Sequence, residues 1–220
     1  MASLNTNNAK KNILKKIKQA LNEEQLPKPF PELGTLNTKD LFVGDEDKDI
    51  VEFFIENYIA AGGNFILADD IEDFVEKLNQ LATEQNWKQI MCAQKELFSY
   101  LMSAKIPYIK EYDIKYEGVD ACITDCEMAI ARTGSFILTS QQNFGRTSSI
   151  YYPAHIIILQ PHQIVAYLQD ALKLMQQKYN KQLPSMINLN TGPSRTADIE
   201  KTLVTGIHGP KAIYCFLINN

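Results

Sequence analysis

The chain has 220 residues and a mass of 25.0 kDa, a size that one core commonly reaches, with or without an added arm. Apolar residues make up 45% and charged residues 22%, the mix of a globular protein rather than a disordered one. Acids outnumber bases 26 to 22, which argues against a nucleic-acid footprint over the whole surface; no apolar run approaches the ~20 residues of a membrane-spanning helix, and the N-terminus lacks the apolar stretch of ~7–15 residues that marks a secretory signal. A cytoplasmic protein that binds neither membrane nor nucleic acid is expected.

Residues 1–18 hold five lysines and no acid, leaving 17 bases against 26 acids, a net of −9, after Lys18. Ile13, Leu14, Ile17 and Leu21 recur at helical spacing, so a helix is expected over Asn12–Leu21. A basic amphipathic arm beside an acidic body suggests packing on its own domain or on a second copy in a homodimer. The stretch Pro27-Lys28-Pro29-Phe30-Pro31 stops the helix, because each proline removes a donor and drives its predecessor out of the helical region. Residues 1–37 therefore read as arm and connector, and 38–220 as the domain.

In the body, Asp47–Ala61 reads as a helix ended by Gly62-Gly63, and Asn64–Ala68 as a buried strand. A helix over Ile71–Glu84 follows, capped by Asp69 or Asp70, then a strand at Gln89–Ala93 and a helix from about Lys95 to Ala104. These consecutive βα units predict an α/β fold, a mainly parallel sheet flanked by helices. Further strands are expected at Ala121–Thr124, Ser135–Thr139, His155–Gln160, Met186–Leu189 and Ala212–Asn219, with one long helix over Pro161–Tyr179. Residues 47–105 read as scaffold, whereas polar loops interrupt 120–211. Ligands of open α/β sheets bind beyond the carboxyl ends of strands, which directs attention to those loops. Cys92, Cys122, Cys126 and Cys215 sit in apolar segments and read as reduced thiols. The spacing of Cys122 and Cys126 has no second ligand pair, so no metal is expected.

Arginine usage is the most informative count. There are nineteen lysines and three arginines, Arg132, Arg146 and Arg195; each precedes a threonine and lies within three residues of Gly134, Gly145 or Gly192. A guanidinium holds a carboxylate or phosphate through two parallel bonds, which an ammonium cannot do. The arrangement predicts a site for an anionic small molecule; ion pairing with Asp125, Glu127, Asp198 or Glu200 is the alternative. The segment Thr124–Ser135 is expected to hold a short helix ended by Gly134, with Glu127 as base, nucleophile or capping carboxylate. Asp125 and Glu127, two residues apart, would diverge on such a helix. The densest cluster runs from Thr191 to Glu200, followed by Gly206-Ile207-His208-Gly209-Pro210. Gly192 permits a tight turn, Ser194 and Thr196 supply hydroxyls, and Asp198 and Glu200 can cap a helix beginning there, making an anion cradle. His208, between glycines in a turn, can transfer a proton near neutral pH, while His155 reads as structural.

The cluster Gly192–Glu200 with Gly206–Pro210, together with Ala129-Ile130-Ala131, Thr133-Gly134-Ser135, Gly145-Arg146 and Pro153-Ala154-His155-Ile156, resembles the LUD-domain family of the lactate utilization protein C (LutC/YkgG) type over about residues 45–220. The resemblance implies a NagB/RpiA/CoA-transferase-like α/β fold. It also implies a part in bacterial oxidation of L-lactate to pyruvate, alongside partner proteins that carry iron–sulfur clusters. This chain resembles the cluster-free component, with no cofactor of its own beyond a nucleotide or CoA-like ligand. Arg195 and Arg146 would grip the anion, Ser194, Thr196 and Thr133 would orient it, and His208 or Glu127 would move a proton. Ile150-Tyr151-Tyr152 departs from the leucines expected before Pro153, and residues 1–37 match no motif. Two other functions stay open: a stand-alone transferase or ligase acting on a CoA thioester, sugar phosphate or folate, and a non-catalytic assembly or regulatory subunit.

Overall fold

The computed structural model describes residues 6–22, 48–113, 118–142, 147–180, 182–196 and 204–219, and the chain divides into two units, residues 1–47 and 48–220. In the first unit, helix α1 (Thr6–Asn22) begins six residues before the expected Asn12 and carries Ile13, Leu14, Ile17 and Leu21 on one face.

The second unit opens with α2 (Ile50–Ala60), capped by the Asp49 carboxylate, which accepts from the amides of Val51 and Glu52. Next come β1 (Asn64–Ala68), α3 (Ile71–Glu84), β2 (Ile90–Cys92), α4 (Lys95–Ser103), β3 (Ile109–Glu111) and β4 (Ala121–Asp125). The Asp70 side chain caps α3 by accepting from Asp73 N. Then follow β5 (Met128–Ile130), β6 (Ser135–Thr139), β7 (Ala154–Leu159), β8 (Ile164–Val165), α5 (Leu168–Lys178), β9 (Ile187–Thr191), β10 (Arg195–Thr196), β11 (Val204–Thr205) and β12 (Ala212–Ile218).

Six strands form a parallel sheet in the order β1-β12-β7-β4-β2-β3. Side chains alternate across it. Ala154, Ile156 and Ile158 of β7 pack in one core with Phe74 and Leu78 of α3 and Leu97 and Leu101 of α4. Ile157 and Leu159 point the other way, into a core shared with Phe53, Phe54 and Tyr58 of α2 and with Ala129, Phe136 and Leu138. Those last three belong to a second sheet, β8-β5-β6-β9, in which β6 runs antiparallel to both neighbours. Its outer face buries Met128, Ile130 and Ile137 against Ala171 and Met175 of α5.

Three expectations are corrected. The helix over Pro161–Tyr179 is confined to Leu168–Lys178. Gln163 closes a single turn instead, its Oε1 accepting from Gln160 N at 2.8 Å and its Nε2 donating to Cys126 O at 2.7 Å. Ile164 and Val165 then pair with Ala129 and Ile130, a long-range partnership that suits two β-branched residues. The short helix expected before Gly134 is mostly strand β5, started by Glu127 N donating to Ile137 O at 2.8 Å. Gly134 does end a single 3₁₀ turn, Ala131–Thr133, in the left-handed conformation. Finally, Ser135–Thr139 and the strand near Met186–Leu189 lie in the second sheet, outside the parallel one.

His155 of β7 is fully buried, with Nε2 2.8 Å from the Thr124 hydroxyl and Nδ1 without a hydrogen-bond partner. Burial pushes its pKa down from 6.5 to about 3. Below its ordinary pKa the unfolded chain takes up a proton that the folded chain refuses. His155 therefore leaves stability intact above pH 6.5 and erodes it as pH falls toward 3, by at most about 1.4 kcal/mol per pH unit. Urea titrations from pH 7 to 4 should show this acid-side loss in the parent and a shallower one in His155→Gln; equal slopes would contradict it.

Candidate functional site

Because α2 runs antiparallel to β1, it ends at the amino edge of the parallel sheet, and there the motif loops gather. Asn57 Nδ2 donates to Ala131 O at 3.0 Å. Gly134, at φ +58°, lies so close to the Asn57–Tyr58 backbone that a Cβ would collide with it. Ser135 Oγ lies 2.7 Å from Thr133 Oγ1 and 2.6 Å from Thr191 Oγ1, making a short hydroxyl chain. Gly192, at φ +65°, meets Ala61 O in the same way, and Arg195 Nη2 donates to that carbonyl at 2.9 Å. Arg195 thus places positive charge on the carbonyl end of α2, where the helix dipole favours it.

Of the expected ligand residues, the structure therefore brings Thr133, Gly134, Gly192 and Arg195 around one helix end. Ser194 turns toward the other loop, its amide donating to Pro210 O at 3.0 Å and its carbonyl accepting from Gly206 N at 2.9 Å. That places it beside the turn carrying the exposed His208. Thr196 pairs with Val204 in a two-stranded ribbon, so Arg195–Thr196 is strand, and the helix expected to be capped by Asp198 and Glu200 falls outside the described residues. Arg146, Asp198 and Glu200 lie outside the described residues. Gly62-Gly63 leads into β1 and the His208 turn into β12, so the motif loops gathered against them occupy the amino edge rather than the expected carboxyl edge. The antiparallel second sheet causes this, returning the chain across the fold through β5 and again through β9.

Glu127 sits at the opposite edge, in the turn after β4. Its carboxylate lies 2.5 Å from Lys178 Nζ and accepts from the Tyr179 hydroxyl at 2.9 Å. The side chain is 4% exposed, against 60% for Lys178. Asp125 accepts from Gln142 Nε2 at 3.0 Å, and its carboxyl is held above the usual range, chiefly by burial and further by Glu127 nearby. With no helix here, the two carboxylates share one corner instead of diverging. Glu127 and His208 are separated by the sheet, roughly 15–20 Å for strands of five or six residues, and cannot serve one ligand together.

Also at the carboxyl edge, a cavity of about 340 Å³ opens at the ends of β2 and β3, lined by Cys92, Ala93, Lys95, Phe98, Ser99, Glu111 and Tyr112. These residues fall in or just beyond the stretch that reads as scaffold. No motif announces them. Asn57 did carry a signal, since asparagine is a poor helix former and sits here inside one.

Two stability tests follow. Gly134→Ala should cost more than about 2 kcal/mol, combining ~1–2 for the left-handed backbone with a backbone collision. Gly118→Ala, at φ +74° but facing open space, should cost only the backbone share of ~1–2 kcal/mol; equal losses in urea unfolding would contradict the close approach. Lys178→Met should cost about 1–3 kcal/mol, less than a fully buried pair because lysine is solvated, and adding Glu127→Gln should recover part of it.

A family model described as the LUD domain matches residues 51–218. Lactate utilization protein C 1 of Bacillus mycoides strain KBAB4 is 34% identical over 155 residues, 63% of this chain and 66% of that protein. Lactate utilization protein C of Bacillus subtilis strain 168 is 38% identical over 103 residues, 46% and 43% of the two chains; that of Bacillus licheniformis is 39% identical over 101 residues, 44% and 42%. The match spans less than two-thirds of the length of each of these relatives. Among solved structures, a crystal structure of a DUF162 family protein from Deinococcus radiodurans aligns with a TM-score of 0.55 at 17% identity, covering 77% of this chain and 96% of that one, a likeness of fold. With its mainly parallel sheet and a family match running from α2 to the end of β12, the chain belongs to the LUD domain family.

Proposed function

We propose that this chain is a cytoplasmic, cluster-free component of a lactate-utilization system, working beside partners that carry iron–sulfur clusters. The relatives named lactate utilization protein C support this reading, and among the described residues no helix is long and apolar enough to cross a membrane. The observation that carries the binding part is the meeting of two motif loops, 132–135 and 191–195, at the end of α2. Arg195 is exposed there and spends one donor on Ala61 O, while a guanidinium has five. The rest can hold the carboxylate of a 2-hydroxy or 2-oxo acid, with the Thr133 hydroxyl beside it.

Oxidation of a 2-hydroxy acid to a 2-oxo acid releases two electrons and two protons. In this reading the electrons pass to the iron–sulfur partners, one proton goes to His208, in the turn next to Ser194, and the other to solvent. Glu127 is left as a structural carboxylate, because Lys178 and Tyr179 already occupy both its oxygens. That disfavours a glutamate nucleophile, and with it the transferase reading.

A strain lacking its own copy should grow on L-lactate when given the parent gene and fail with Arg195→Ala, while growth on glucose is unaffected. Loss of one exposed bond to a charged group should cost no more than about 1.5–3 kcal/mol, so thermal melting of the purified variant should show a folded protein. Arg195→Lys, which keeps the charge and loses the fork, should be intermediate. Capture of the tagged parent should recover iron–sulfur proteins. Undiminished growth with Arg195→Ala would remove the anion site from this reading.

A further inference from the structure

The cavity at the ends of β2 and β3 is separate from the motif loops and owes nothing to Arg195. It lies beyond the carboxyl ends of the parallel pair β2 and β3, with α4 as its third wall. The carboxyl ends of strands are where open α/β sheets take ligands. The lining combines two aromatic rings, Phe98 and Tyr112, with one cation and one anion, Lys95 and Glu111. Among the described residues neither charge forms an ion pair, although both face the same space. Tyr112 is held in place, its hydroxyl 2.8 Å from Thr147 Oγ1 and its ring edge-on to Tyr152 with centroids 6.5 Å apart. Cys92 offers no nucleophile, because burial pushes its thiol up to about 12.

Size and chemistry together narrow the ligand. About 340 Å³ falls at the small end of the roughly 300–1,000 Å³ of small-molecule sites. A three-carbon acid would leave most of it empty and could not use the aromatic walls, and a CoA or dinucleotide would not fit. What satisfies the lining is a flat ring carrying an anion at one end and hydroxyl donors between. We propose that this cavity binds a nucleoside monophosphate, with its phosphate on Lys95, its ribose hydroxyls donating to Glu111, and its base against Phe98 and Tyr112. Binding is reversible, and no bond is made or broken.

Calorimetry on the full chain with AMP tests this. AMP should bind saturably, and Lys95→Ala should weaken it by roughly tenfold or more, the usual loss of a bond to a charged group. Phe98→Ala should weaken AMP and adenosine alike, whereas Lys95→Ala should spare adenosine. Lys88→Ala, an exposed lysine elsewhere on the surface, should change neither. Absence of saturable binding at millimolar AMP, equal affinity in the parent and Lys95→Ala, or a preference for L-phenylalanine over AMP would each overturn the proposal. Melting curves of both variants establish that they are folded.

Discussion

The last turn of α2 is wedged between two sheets, and the architecture depends on that wedge. Tyr58 is fully buried, its hydroxyl donating to Ile213 O of β12 at 3.0 Å. Its ring stacks on Phe54 and meets Phe136 of β6 edge-on, with centroids 5.6 and 5.4 Å apart, and it covers Gly63 so closely that no side chain fits there. One tyrosine therefore touches both sheets and the turn leading into β1. Aromatic pairs of this kind add about 0.5–1.5 kcal/mol each beyond the area they bury. An unsatisfied buried hydroxyl would cost a comparable amount, so Ile213 O is as necessary as the ring. Asn57, Gly134, Gly192 and Arg195 complete the wedge by satisfying or approaching backbone on the same turn.

The two edges of the parallel sheet are consequently unlike. At the amino edge the chain spends its glycines and its guanidinium on close backbone contacts, and polar groups answer one another. At the carboxyl edge burial raises the pKa of the Asp125 carboxyl, while Glu127, two residues on, is held by Lys178 and Tyr179. The two carboxylates thus have different partners, Gln142 for Asp125 and Lys178 with Tyr179 for Glu127. At the same edge Lys95 and Glu111 form no ion pair among the described residues and line an open cavity. Each edge therefore keeps binding capacity of its own kind, the remaining donors of Arg195 at the first and the cavity between β2, β3 and α4 at the second.

Local pattern made part of this legible. Ile71–Glu84 has the expected bounds because an aspartate cap and a 3.6-residue apolar stripe agree, and Asn64–Ala68 is a strand because glycines isolate a short apolar run. Failures came where a distant partner decides. Nothing near Ile164-Val165 reveals that Ala129 and Ile130 will pair with it, so the helix beginning at Pro161 looked continuous. Thr124–Gly134 has acceptable helix composition, yet Ile137 O captures the Glu127 amide and starts a hairpin. The motif loops were found by residue type, but their edge was not, because that follows from an antiparallel sheet whose strands look like any others. The cavity was illegible for a similar reason: Lys95, Phe98, Glu111 and Tyr112 are ordinary residues until β2 and β3 lie side by side.

A motif that identifies a family need not mark where a ligand sits. Gly134 and Gly192 are required because a Cβ at either would strike the backbone of α2, and Arg195 answers a carbonyl that the helix end leaves exposed. Each has a sufficient structural reason to be the residue it is, before any ligand is considered. Residues around the carboxyl-edge cavity face no such backbone constraint. Phe98 and Tyr112 each pack one face against a core and turn the other to the cavity, while Lys95 and Glu111 are exposed, so solvent or a bound molecule meets what they present there. Packing therefore accounts for the motif glycines at the amino edge, and ligand chemistry rests on the side chains that packing leaves over, Arg195 there and the cavity lining at the opposite edge.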